Sequence, residues 1–174
     1  TTLQIILVLS AIIITFSSFG YNMYQAKLPE PLYIKDVKVS VDGNVPKNIT
    51  LPYNFKNLKP KTPVTVTALV TPNKNDMFCV KTAYSPVKIY TDDILIYEFG
   101  KKETYPNFMT DPATEIYLIR SPVYNKEVEF KMEFLSPVTR SSMTVYPPIM
   151  STFKSIFNEF VGIYKVQFLF SVVQ

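Results

Sequence analysis

Histidine and tryptophan are absent from the 174 residues, cysteine occurs once, and glycine occurs only four times. Without histidine, the commonest general base and metal ligand is missing. The single Cys79 allows neither an internal disulfide nor a paired-cysteine zinc site. It stands in the apolar run Met77-Phe78-Cys79-Val80, where a buried structural thiol is expected rather than a nucleophile. Four glycines leave no Gly-rich phosphate loop. A basic stripe is also lacking. Lys35, Lys38, Lys47, Lys56, Lys59 and Lys61 are scattered among acids and prolines, and 18 Lys+Arg against 14 Asp+Glu give a net charge of only +4. That pattern fits a solvated surface and no nucleic-acid partner. The chain is therefore read as non-enzymatic by itself, with no catalytic residue, no metal site and no cofactor.

What the chain does have begins with an oily start. Leu3 to Phe19 reads LQIILVLSAIIITFSSF and carries no charge. At about 1.5 Å per helical residue this run approaches the thickness of a bilayer core, and Gly20 to Tyr24 extend it. Tyr21 and Tyr24 suit the interfacial belt after a membrane helix. A cleaved signal peptide should show a shorter apolar region and a small-residue cleavage site, and a buried core helix should show a polar face. An uncleaved membrane anchor, with Leu3–Phe19 in the membrane, fits better than either.

Short strand-like segments follow. Fourteen prolines fall largely between apolar runs, where they mark strand ends and loops. Val37, Val39 and Val41 alternate with polar residues, as do Val64, Val66 and Ala68. The clearest case is Val128, Phe130, Met132 and Phe134, which alternate with Glu127, Glu129, Lys131 and Glu133. Such a period of two demands a strand with one wet face. Val87 to Gly100, VKIYTDDILIYEFG, reads as a hairpin turning at Asp92-Asp93, where aspartate tolerates unusual backbone angles. Those two acids are read as turn residues rather than a calcium or catalytic pair. Ile116 and Leu118 mark another strand. Seven or eight short strands without intervening helices predict a mainly β fold, an antiparallel, jelly-roll-like β-sandwich.

From Ile149 the period changes. Ile149, Phe153, Ile156, Phe157 and Phe160 recur at three- and four-residue spacing, which predicts an amphipathic helix. Val161 to Val173 is then mostly apolar, and reads as the head of a second membrane helix or as a final strand. The expected organisation is an anchor helix over 1–24, a linker over 25–31, the sandwich over 32–148, and the amphipathic helix with its apolar continuation over 149–174.

Any ligand would have to be held by shape, aromatic rings and hydrogen bonds. If Val87, Ile89, Ile116 and Leu118 point inward, then Lys88, Tyr90, Glu115 and Tyr117 point outward, with Arg120 at a strand end. These five are the candidate ligand-binding residues. Asn48-Ile49-Thr50 matches a glycosylation sequon, which matters only in a eukaryotic secretory context.

Several segments together resemble a known family. ITLPY (Ile49–Tyr53), the hairpin VKIYTDDILIYEFG, the strand EIYLI (Glu115–Ile119), VEFKMEFLSP (Val128–Pro137) and the amphipathic stretch from Ile149 are similar to the extracytoplasmic jelly-roll sensor of bacterial membrane signalling proteins, notably diguanylate cyclases and some histidine kinases. The resemblance covers roughly residues 37 to 174. Two details depart from it: Asp93 stands where a turn glycine is usual, and no glycine stands near Met150 and Ser151. The resemblance implies a sensory input domain at the cell membrane, its β-domain extracytoplasmic and flanked by membrane helices, with an output domain beyond Gln174. Its ligand would be a small molecule, a carbohydrate or a protein, and the sensor could work as a homodimer. No catalytic residue is carried over.

A pilin-like or archaeal surface-filament subunit is the main rival. In that reading the apolar N-terminal helix packs in a filament core and the partner is a homopolymer of this chain. The acidic residue usual near the start of a bacterial pilin is absent, since Gln4 and Ile5 occupy that region. A surface carbohydrate-binding module without a signalling role is a third reading.

Overall fold

The computed structural model describes residues 2–25 and 30–159. Helix α1 covers Thr2–Gln25 and has no acidic residue in its first turn and no basic residue in its last. Its apolar side chains stand in the open; Ile5, Leu7, Ile13, Ile14 and Phe16 are between 62% and 73% exposed. Among the described residues no helix is long and apolar enough to cross a membrane. The helix carries no charged residue from Thr2 to Gln25.

The strands follow in chain order. β1 is Leu32–Tyr33, β2 Asp36–Val41, β3 Lys47–Thr50, β4 Tyr53–Phe55, β5 Pro63–Val70 and β6 Asp76–Thr82. β7 is Val87–Thr91, β8 Ile94–Phe99, β9 Glu115–Arg120, β10 Val128–Leu135, β11 Met143–Val145 and β12 Ile149–Thr152. Helix α2 begins at Phe153, and its described part covers residues 153–159. One sheet has the order β3-β2-β5-β10-β7-β8, a second β1-β12-β6-β9, and β4 and β11 form a small pair. Every strand pairing is antiparallel.

The alternation in β10 sets the architecture. Val128, Phe130, Met132 and Phe134 are at most 4% exposed. Register then carries one apolar row across the inner face: Val39 lies opposite Val66, Val66 opposite Met132, and Met132 opposite Ile89. The second sheet closes over this face. Phe78 of β6 stacks on Phe130 of β10 with ring centroids 4.3 Å apart, and residues of both sheets share one core. Burying each such side chain contributes about 1.5–3 kcal/mol, enough to order the domain without disulfides. The small pair adds Phe55, Met143 and Val145 to the same core.

The expected hairpin is present. Asp92 and Asp93 adopt φ of 48° and 62°, the left-handed geometry that a two-residue turn requires. The turn is then tied to the neighbouring strand: the Glu129 amide donates to Asp92 Oδ1 at 2.9 Å, and Lys131 Nζ donates to Asp93 Oδ1 at 2.7 Å.

Two expectations need correction. Ile149 does not open a helix. Ile149–Thr152 pairs with Asp76–Cys79 as β12, and helix α2 starts only at Phe153. The spacing of Ile149 to Phe153 mimics a helical repeat, but Pro147 and Pro148 just before it favour extended backbone, and an open edge of β6 was waiting for a partner. Thr152 then caps the helix, its Oγ1 accepting from the Ser155 amide at 3.4 Å. Phe153 and Phe157 do not join a buried face either; they are 52% and 58% exposed and stack on each other. Ile156 is the apolar side chain of described α2 that is buried, against Cys79 and Ile149, with Ser155 buried beside it.

The second correction concerns β9. The condition that Ile116 and Leu118 point inward is not met, for they are 43% and 41% exposed. Tyr117 and Ile119 occupy the inner face instead. The readings placed on Phe160 and on Val161–Val173 lie outside the described residues.

Candidate functional site

The five candidate residues fall on two different sheets. Lys88 and Tyr90 share the outer face of the six-stranded sheet. Glu115, Tyr117 and Arg120 belong to β9 at the edge of the other sheet. Tyr117 is no surface ligand. Its ring packs on Tyr97 and Phe99, with centroids 5.0 and 4.8 Å away. It thereby closes the open side of the sandwich between the edge strands β8 and β9. Burial above all holds its phenol well above the usual range. Among the described residues no hydrogen bond of acceptable geometry reaches Tyr117 Oη or the neighbouring Thr82 Oγ1.

Around Lys88 and Tyr90 the antiparallel register builds a polar surface. Thr65 lies opposite Glu133, Glu133 opposite Lys88, and Lys88 opposite Glu98. One row away, Lys38, Thr67, Lys131 and Tyr90 succeed one another. Tyr90 Oη donates to Glu133 Oε2 at 2.9 Å. Lys131 Nζ sits 4.6 Å above the Tyr90 ring and 3.7 Å from Glu133 Oε1. Partial burial, then the bond to Glu133, raise the Tyr90 phenol above its ordinary value. Lys101 Nζ meets Glu98 Oε2 at 2.9 Å and holds that carboxyl below the usual range, with Lys88 assisting from 3.7 Å.

This face borders an open groove of about 610 Å³, lined by Lys88, Glu98, Glu133, Pro63, Pro86 and Leu135 among others. Gly100 forms part of its wall at φ +86°, and a Cβ there would come within 2.8 Å of Pro86 Cα. Only glycine fits that close approach. The neighbouring loop is pinned by Asp111. Burial works to raise its carboxyl, but the Thr139 hydroxyl and the Val138 and Thr139 amides donate to it and hold it below its ordinary value.

Lysine ammonium groups, carboxylates and a phenol can hydrogen-bond a polar ligand, and exposed ion pairs of this kind exchange for ligand contacts at little cost. Glu98, Lys131 and Glu133 join Lys88 and Tyr90 on this face. Their outward direction was readable in the alternation, but not that β10 runs beside β7. Among the described residues no group of three acidic or thiol side chains is placed to hold a metal ion.

A second junction had no signal in the sequence. β1 pairs with β12, Leu32 opposite Met150 and Tyr33 opposite Ile149. Tyr33 Oη donates to Glu159 Oε1 at 2.6 Å across 126 residues. Burial first, and then this bond, push the Tyr33 phenol up to about 12. The strand that follows the N-terminal helix and the helix that leaves the last strand are therefore neighbours, joined side chain to side chain. No protein-family model matches this chain, and no curated protein is similar to it.

Proposed function

We propose that this chain is the extracytoplasmic sensory or ligand-binding part of a membrane-anchored signalling protein, with α1 as its anchor and a jelly-roll-like sandwich as its input domain. The observation that carries this reading is the junction of β1, β12 and α2. β1, the first strand after the apolar helix, lies beside β12, and the hydrogen bond from Tyr33 to Glu159 clasps it to α2. A domain joined to the membrane at both ends needs its two connections adjacent, so that a small rearrangement of the sandwich moves one against the other. Signalling would then be a shift between two arrangements of that junction, biased by ligand on the polar outer face. The uncharged sequence of α1 and its exposed apolar side chains support the anchor.

The same exposed helix also supports the filament reading, since side chains open on all sides could pack against copies of themselves. The sensor reading is tested by removing residues 30–152 from the full-length membrane protein and measuring its signalling output across growth conditions. Sensing predicts an output fixed at one level. Output that still responds as in the parent would end this reading.

A further inference from the structure

We propose that the Phe153–Phe157 pair of α2 docks the domain on the surface of the lipid bilayer that holds α1. This inference rests on the reading of α1 as a membrane anchor. Phe153 and Phe157 stand four residues apart, so they share one flank of the helix. They are 52% and 58% exposed, and their rings stack with centroids 5.9 Å apart. Ser155 and Ile156 take the side turned to the sandwich, and neither ring belongs to the core. Among the described residues no other contacting pair of rings is exposed on both members.

Distance names the occupant. Residues 26–31 connect α1 to β1, and so short a connection spans at most about 25 Å. β1 pairs with β12, which runs directly into α2, and Tyr33 Oη holds Glu159 Oε1 at 2.6 Å. α2 is therefore tethered close to the end of α1. The 24 residues of α1 make a helix of about 36 Å. Set across a bilayer core about 30 Å thick, that helix leaves its last turn at the surface.

Charge suits the same occupant. Lys154, next to the rings in sequence, is exposed. Lys35 is exposed as well, with its Nζ 5.7 Å from the centroid of the Tyr33 ring. Glu159, the carboxylate of described α2, is turned to Tyr33 instead. Rings at the headgroup boundary with lysines beside them are how a helix lies in the interface, and anionic headgroups attract those lysines.

The chain has no tryptophan, so a single introduced indole reports its own surroundings. Phe157→Trp, Phe16→Trp in α1 and Phe108→Trp are each made in the full chain. The chain is reconstituted in vesicles of phosphatidylcholine and phosphatidylglycerol, with plain or brominated acyl chains. Phe108 is 86% exposed on the loop before β9, the strand at the opposite edge of the sheet from β1. Bromine should quench the emission of Phe157→Trp and Phe16→Trp and leave that of Phe108→Trp unchanged. Quenching of Phe16→Trp without Phe157→Trp would overturn the docking and leave the anchor standing. Quenching of neither would end the anchor reading and this inference with it. Equal quenching of Phe157→Trp and Phe108→Trp would also overturn the docking, because contact with lipid would then not belong to α2.

Discussion

The two main sheets differ in what they show to the outside. The outer face of the six-stranded sheet is a ladder of lysines, carboxylates, threonines and Tyr90. The outer face of the four-stranded sheet carries Tyr33, Ile149, Cys79 and Leu118 in one row. Part of that row is roofed by Ile156 of α2, and part is left open at β9. The six-stranded sheet keeps its exposed apolar side chains, Leu69, Ile94 and Leu95, at the margins of a polar face. The four-stranded sheet carries an apolar row across its outer face, beside β1 and α2.

The comparison can first be broken from the inside. Phe130→Ala removes a ring that is 1% exposed and stacked on Phe78, the contact that joins the two layers. Its expected cost is about 3–5 kcal/mol, measured by urea unfolding. A cost near that of a surface change would mean that the layers are not held this way. Next, Ile156→Ala opens the roof over Cys79 and Ile149, for about 2–5 kcal/mol. Hydrogen exchange should rise first in residues 149–159, while the amides of β10 stay protected. Uniform loss of protection would show that the roof and the body form one unit.

Asp111 sharpens the same contrast at a loop. Asp111→Asn exchanges an acceptor for a donor facing the Val138 and Thr139 amides, at a cost of about 1–3 kcal/mol at neutral pH. The folded carboxyl titrates below its ordinary value, so its contribution is complete above the unfolded pKa and fades as pH falls through the folded one. The variant should therefore lie closest to the parent in acid. An equal gap at pH 3 and pH 7 would contradict the assignment.

The smallest effect belongs to Tyr33→Phe, about 0.5–1.5 kcal/mol from the lost bond to Glu159. With the folded phenol raised to about 12, this contribution is whole below the ordinary tyrosine pKa and disappears as pH climbs through the folded value. Faster exchange confined to α2 is the expected sign in the variant.

The same contrast explains what could be read in advance. β10 was legible because one face is wet and the other dry, so apolar and charged residues alternate without exception from Glu127 to Phe134. In β9, with the sequence EIYLIR, either phase presents apolar residues. A tyrosine suits an inner or an outer position equally, so the pattern does not say which phase faces the core. The groove beside Lys88 depends on β10 lying next to β7, a long-range pairing that no local period encodes. Cover on both faces of β12, where Ile149, Met150 and Ser151 are all buried, removes the alternation that marks a strand and leaves Ile149–Thr152 resembling the start of a helix.

The adjacency of the two connections is the claim that supports the rest, and it can be measured directly. Spin labels at Glu30→Cys and Lys154→Cys, both exposed positions, would report the separation of the incoming strand and the outgoing helix in the full chain reconstituted in lipid. The buried Cys79 thiol, pushed up to about 11 by burial, should stay unlabelled. The account predicts one narrow distance at the short limit of the method, as expected for connections on adjacent strands. A broad or long distribution, with the sandwich still folded, would contradict it.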